Sequence, residues 1–106
     1  MPVRLDVQVD GRLPEHIEVA AYYVVAESLT NVAKYAQAKH ATVRVVQQNG
    51  SAIIEVHDDG IGGADVSAGT GLRGLADRVE ALDGSFAVHS PAGAGTRIEA
   101  VIPCGS

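Results

Sequence analysis

A chain of 106 residues, 46% hydrophobic and 20% charged, suits one folded domain and excludes both a disordered segment and a pair of domains. Its net charge of −5 excludes a general nucleic-acid binder, because contact with a phosphate backbone needs a basic face. Cys104 is the only cysteine, so no internal disulfide forms, and no apolar run approaches the roughly 18 residues of a membrane span. A soluble domain in a cytoplasmic setting, without direct membrane contact, is the expectation. A longer, membrane-anchored parent remains compatible with it.

Val3 to Val9 alternate apolar and polar residues and predict a half-buried strand, closed by a turn at Asp10-Gly11. Leu13-Pro14-Glu15 reads as a helix start, with Pro14 in the first turn and Glu15 and Glu18 favoured by the helix dipole. The helix runs to about residue 36, with Ile17, Ala21, Val24, Val25, Leu29, Val32 and Ala36 on its apolar face. Glu27, Asn31 and Lys34 are spaced i, i+4, i+7 and share one stripe roughly 60° wide at the edge of that face. A carboxylate, an amide and an ammonium so aligned can address one ligand, and spacing alone does not separate this from a solvated face carrying a charge pair.

Residues 41–48 predict a second strand, and Ala52 to Val56 a third. The Asn49-Gly50 pair between them signals a hairpin, since both residues accept positive φ. The third run ends in Asp58-Asp59-Gly60-Ile61-Gly62-Gly63, and six of the twelve glycines lie between Gly60 and Gly74. Residues 60–71 are a loop by composition. Leu72, Leu75, Ala76, Val79 and Leu82 then form the core stripe of a second helix, with Arg73, Asp77 and Glu80 on its solvated side and Gly84 as its terminating residue. Residues 85–90 and 96–102 predict the last two strands, joined by the Pro91–Gly95 turn. The order β-α-β-β-α-β-β predicts an α+β two-layer sandwich, a mixed and mostly antiparallel sheet with both helices on one face.

Two features carry chemistry. The 69–74 loop runs into a helix, where free N–H groups and close backbone approach favour phosphate. It is neither a Walker P-loop, for want of Gly-Lys-Ser/Thr, nor a dinucleotide fingerprint, for want of a βαβ context. Asp58, a carboxylate at the end of a buried strand, needs a partner and suits an exocyclic amine such as that of adenine. Asp59 fits an ordinary Asp-Gly turn better than Asp58 does.

In this order the motifs resemble the ATP-binding domain of the GHKL superfamily, which includes DNA gyrase, the heat-shock chaperone, histidine kinases and mismatch-repair ATPases. Glu27 to Ala36 resembles the N box of histidine kinases, Asp58 to Gly62 the first glycine box, Gly69 to Leu75 the second, and Ser90 to Thr96 the last conserved turn. Gly71 to Val79 is most similar to sensor kinases whose response regulators carry helix-turn-helix output domains. The resemblance covers nearly the whole chain and implies a single Bergerat-type domain spanning residues 1–106.

It further implies Mg²⁺ and ATP as cofactors and a role for each matching residue. Asn31 ligates Mg²⁺ between the phosphates, Glu27 acts catalytically near the γ-phosphate, and Lys34 reaches a phosphate. Asp58 accepts from the adenine amine. Gly60 and Gly62 admit the base and hinge a short lid over residues 63–70. Gly69, Thr70, Gly71 and Leu72 line the phosphates, and Thr96 helps to bind near adenine. Tyr35 stands where close relatives often carry His, and Asp59 where many carry Asn. None of His16, His40, His57 and His89 sits in a phosphoacceptor pattern, so the implied partner is a separate dimerisation and phosphoacceptor domain, with a response regulator beyond it. The alternatives are an anti-sigma-factor serine kinase on the same fold, and a degenerate domain that binds a nucleotide or a partner without catalysis.

Overall fold

The computed structural model describes residues 2–9, 11–63 and 71–104. Five strands form one sheet: β1 (Val3–Gln8), β2 (Ala41–Gln48), β3 (Ser51–Asp58), β4 (Ser85–His89) and β5 (Thr96–Pro103), in the order β1-β2-β3-β5-β4. Only β1 and β2 are parallel. The long helix between them, α1 (Glu15–Asn31), makes that crossover, and every other neighbouring pair is antiparallel. The second helix, α2 (Leu72–Glu80), lies between β3 and β4 in the chain.

The β2–β3 turn forms as Asn-Gly chemistry dictates, with φ of 53° at Asn49 and 76° at Gly50. The period-two pattern of β3 then puts Ala52, Ile54, Val56 and Asp58 on one buried face, paired with Ile102, Ala100, Ile98 and Thr96 of β5. Ile17, Ala20, Ala21 and Val24 of α1 and Leu72, Leu75 and Val79 of α2 cover that face and complete the core. The two alanines let the helix backbone lie close to the sheet. The opposite face stays open and polar, with Arg97 3.2 Å from Glu99 and 3.6 Å from Glu55.

Some expectations need correction. β1 is not half-buried: Val3, Leu5 and Val7 are all exposed, because α1 packs over β3 and β5 and leaves the parallel edge strand uncovered. Pro14 precedes the first turn as the N-cap residue, where its carbonyl accepts from Ile17 and Glu18 N–H, both at 3.0 Å. The predicted single helix to residue 36 changes pitch, since residues Val32–Ala36 form a π-helical turn. At the end of α2 the left-handed residue is Asp83, φ 62°, rather than Gly84. Gly84 is required for a different reason, because a Cβ there would lie 2.6 Å from the Val101 carbonyl oxygen. The Asp10 half of the first turn lies outside the described residues.

Candidate functional site

The chemistry-bearing residues gather at the sheet end where β3 finishes and β5 begins. Asp58 is the last residue of β3, paired with Ala41 on one side and Thr96 on the other. Strand parity points it to the core face, where it is 2% exposed. Its Oδ1 accepts the Gly60 N–H at 2.8 Å. Thr96 is buried opposite it, and the Thr96 and Ser90 hydroxyls lie 2.6 Å apart.

Three glycines let the loops close around this carboxylate. A Cβ on Gly60 would collide with the Ala36 carbonyl, one on Gly62 with the Pro91 carbonyl, and one on Gly95 with the carbonyl of Asp58 itself. At Gly62 and Gly95 φ is also positive, 68° and 77°. Hydrogen bonds from Ile61 N–H to Ala36 O, from Gly63 N–H to Ser90 O and from Gly93 N–H to Ile61 O knit the three loops together. These close approaches are of backbone to backbone, whereas the resemblance to the first glycine box implies approach to a base.

A second group of residues sits along α1 and the start of α2. Glu27 is exposed, and a Cβ on Gly71 would lie 3.0 Å from its Oε2, so Glu27 faces the residue from which α2 departs. Gly71 has φ 89° and caps the helix with no side chain of its own. Leu72 sends its side chain into the core, which leaves its backbone as the part available to a ligand. Asn31 ends α1, and its Nδ2 is buried with no hydrogen-bond partner among the described residues. Lys34 is exposed on the π-helical turn, a type of distortion frequent at functional sites. The π-turn spoils the simple 100° stripe predicted for Glu27, Asn31 and Lys34: the first two share an α-helical face, and Lys34 falls on wider pitch. Residues 64–70 of the expected 63–70 lid, with Gly69 and Thr70 among them, lie outside the described residues.

The unpartnered Nδ2 of Asn31 is a donor that suits an anionic oxygen, while the Asn31 amide oxygen and the carboxylate of Glu27 one turn earlier are the hard oxygen groups of this second cluster. Such a pair fits Mg²⁺, which takes one or two protein oxygens and completes its shell with phosphate and water. The first cluster fits a flat base bearing an amine.

Asp59 behaves differently from the turn residue it was expected to be. Its Oδ1 accepts the backbone N–H groups of Lys39 (2.8 Å) and His40 (2.9 Å), and its Oδ2 lies 3.0 Å from His40 Nδ1. The backbone N–H of His40 first, then its ring and the Lys39 N–H, hold the carboxyl at about 2, well below its ordinary value. Sequence reasoning missed this tie, since nothing in the spacing of residues 39, 40 and 59 signals it. It also missed Arg78 of α2, whose guanidinium lies 4.1 Å from the centre of the Tyr23 ring on α1.

The structure is a two-layer α+β sandwich whose buried strand-end carboxylate is enclosed by glycine-lined loops. Residues 16–106 match the family of histidine kinase-, DNA gyrase B- and HSP90-like ATPases, and the chain belongs to that family. It is 34% identical over 95 residues to the signal transduction histidine-protein kinase/phosphatase DegS of Brevibacillus brevis, covering 87% of this chain and 25% of that protein. It is also 34% identical over 105 residues to the sensor histidine kinase YdfH of Bacillus subtilis, covering 89% of this chain and 26% of the relative. The chain thus spans about a quarter of the length of these relatives. Its fold matches the histidine kinase domain of the Erythrobacter litoralis EL346 blue-light activated kinase, with a TM-score of 0.78 at 24% identity over 96% of this chain and 55% of that one. The Acinetobacter baumannii histidine kinase AdeS gives 0.71 at 15% identity, over 98% of this chain and 55% of that one.

Proposed function

We propose that this domain binds Mg²⁺-ATP and presents the γ-phosphoryl group to a histidine on a separate dimerisation domain, for relay to a response regulator. The observation that carries the reading is Asp58, a carboxylate buried to 2% exposure at a sheet end where three glycines bring backbone into contact. In such a site the carboxylate orients an adenine by accepting from its exocyclic amine, and Thr96 supports it from the neighbouring strand. Gly60 and Gly62 admit the plane of the base. Asn31 offers its amide oxygen to Mg²⁺, which when bound neutralises charge on the phosphate oxygens. Glu27 orients the incoming group or a water near the γ-phosphate. Lys34, Gly69, Thr70 and the backbone N–H groups of Gly71 and Leu72 supply donors to the phosphates at the start of α2.

As a single domain over residues 1–106, the chain binds nucleotide without phosphorylating itself, since the acceptor histidine belongs to another domain. Gly71 to Val79 favours a parent whose response regulator carries a helix-turn-helix output domain. The parent's ATPase domain works on the cytoplasmic side, where ATP is found. Relatives named as histidine kinases, at 34% identity, favour histidine over serine as acceptor.

Calorimetric titration with ADP and a non-hydrolysable ATP analogue, with and without Mg²⁺, tests the reading. Asp58→Asn should abolish most binding, and Asn31→Ala should remove the Mg²⁺ dependence. A wild-type domain that binds neither nucleotide would favour the degenerate reading. Supplied with its parent's helical domain and labelled ATP, the chain should yield an acid-labile phosphate, whereas an acid-stable product would identify a serine kinase.

A further inference from the structure

The linker between α1 and β2 is tied to the loop after β3 more firmly than a surface connection requires. Three hydrogen bonds converge on the Asp59 carboxylate, from Lys39 N–H, His40 N–H and His40 Nδ1. Asp59 N–H returns a fourth to the His40 carbonyl at 3.3 Å, and Ile61 N–H gives a fifth to the Ala36 carbonyl at 2.8 Å. Gly60 lies between these ties, pressed on the Ala36 carbonyl so closely that a side chain has no room. Ala36 closes the π-helical turn, and Gln37 then leaves it in the left-handed region, φ 51°. A single π-helical turn is a rare, short distortion, and the contacts at its end help to fix where it lies. Among the described residues Val32 and Ala36 form a small cluster with Ala41, flanked by Ala38 and by Leu29, which also touches the main core.

Asp59 directly follows Asp58, while the turn it anchors directly follows Asn31. We infer that Asp59 is a positioning residue: by holding the 37–40 linker against the 59–61 loop, it fixes the Asn31–Lys34 segment relative to Asp58. It thereby couples the metal and phosphate end of the ligand to the base end. The inference rests on the Mg²⁺-ATP reading and deepens it. An anionic side chain is not essential to the geometry, because an asparagine oxygen can accept the same two backbone N–H groups. An alanine accepts neither, and a glutamine oxygen sits one methylene too far out.

The test uses the 106-residue chain with adenosine, and with ADP in the presence and absence of Mg²⁺. In Asp59→Ala the affinity for adenosine should change less than about threefold, while the gain that Mg²⁺ adds to ADP binding should fall about tenfold, the size of one lost charge-assisted tie. Asp59→Asn should retain the Mg²⁺ gain within about threefold, by the same scale. Asp59→Gln should lose it, and this serves as the second variant if Asp59→Ala does not fold. In the nucleotide-free protein, amide exchange across Val32–Ala36 should quicken in Asp59→Ala while the amides of Leu75–Val79 keep their protection. Equal loss of adenosine and Mg²⁺-ADP binding, an unchanged Mg²⁺ gain, or failure of Asp59→Asn to rescue would each overturn the inference. A wild-type chain that binds no nucleotide would instead sink the Mg²⁺-ATP reading, and the exchange comparison alone would then decide whether Asp59 holds the turn.

Discussion

The two halves of the site are built by different means. Around Asp58 the groups that shape the pocket are backbone carbonyls and N–H groups, held by strand pairing to both neighbours and by three loops hydrogen-bonded to one another. Around Glu27 and Asn31 they are side chains on a helix, one exposed and one carrying a buried amide with no partner among the described residues. The first half is complete without a ligand. The second holds an Asn31 amide nitrogen that no described residue satisfies and that a bound anion would. Division of this kind suits the proposed kinase function, in which the base end would give affinity through a rigid shape and the phosphate end charge stabilisation that forms only with the reacting groups in place.

If the base end is rigid because backbone meets backbone, filling one of its contacts should be the most damaging single change. Gly95→Ala places a Cβ on the Asp58 carbonyl at φ 77°. It should cost about 3 kcal/mol or more, seen as a fall in melting temperature of about 12 °C or more by circular dichroism. Gly11→Ala is the control, since φ is 76° there too but no atom lies within 4 Å. It should cost only about 1 kcal/mol of backbone strain. Equal losses in the two variants would show that the loops yield, and the contrast between the halves would collapse.

Affinity is the next lever. Asp58→Asn keeps an oxygen to accept the Gly60 N–H, so the fold should persist. It also presents an amide donor where the ligand's amine must donate, and nucleotide affinity should fall about tenfold to a hundredfold by calorimetry. Glu27→Gln, in the other half, should leave ADP affinity within about threefold while abolishing phosphoryl transfer to the acceptor domain. A Glu27→Gln variant that binds as weakly as Asp58→Asn would show that the two halves share the work of binding.

The pattern of residues made most of this legible, for reasons that differ by element. The Asn49-Gly50 hairpin and the α2 stripe follow from local chemistry, and both appear where the spacing puts them. Asp58 was identified from its place at the end of an apolar run, and the parity of β3 explains why it is buried. β1 misled because alternation in an edge strand looks the same whether or not a helix covers it. The π-turn was invisible because α and π segments share composition, and their difference lies in which carbonyl each N–H finds. Asp59 was read as a turn residue because its partners, Lys39 and His40, lie about twenty positions away, and only the sheet brings them together.

That tie makes a smaller, pH-dependent prediction. The Asp59 carboxyl sits at about 2 in the folded protein, below the ordinary value of an aspartate. A depressed carboxyl adds stability that is fully present above about pH 4 and is lost as pH falls toward 2. Asp59→Asn should therefore melt with a shallower dependence on pH between those limits than the wild type does. Identical profiles would mean that the hydrogen bonds at His40 and Lys39 are not kept in solution.

The smallest effect should run in the opposite direction. Gly74 belongs to the glycine-rich stretch and so was grouped with the phosphate-binding loop, yet it lies inside α2, is exposed, and would meet nothing within 4 Å if given a Cβ. Glycine within a helix costs about 0.5–1 kcal/mol relative to alanine. Gly74→Ala should thus stabilise the domain by that amount, raising the melting temperature by about 2–8 °C. The informative measurement is ADP affinity in the same variant. Unchanged binding would confine the close-approach glycines of this region to Gly60, Gly62 and Gly71, and would mean that glycine content overstates the extent of the site. Weakened binding in a more stable protein would show that the bound phosphates come close enough to the first turn of α2 to exclude a methyl group. The phosphate half would then be, like the base half, a matter of backbone proximity, reached only when ligand is present.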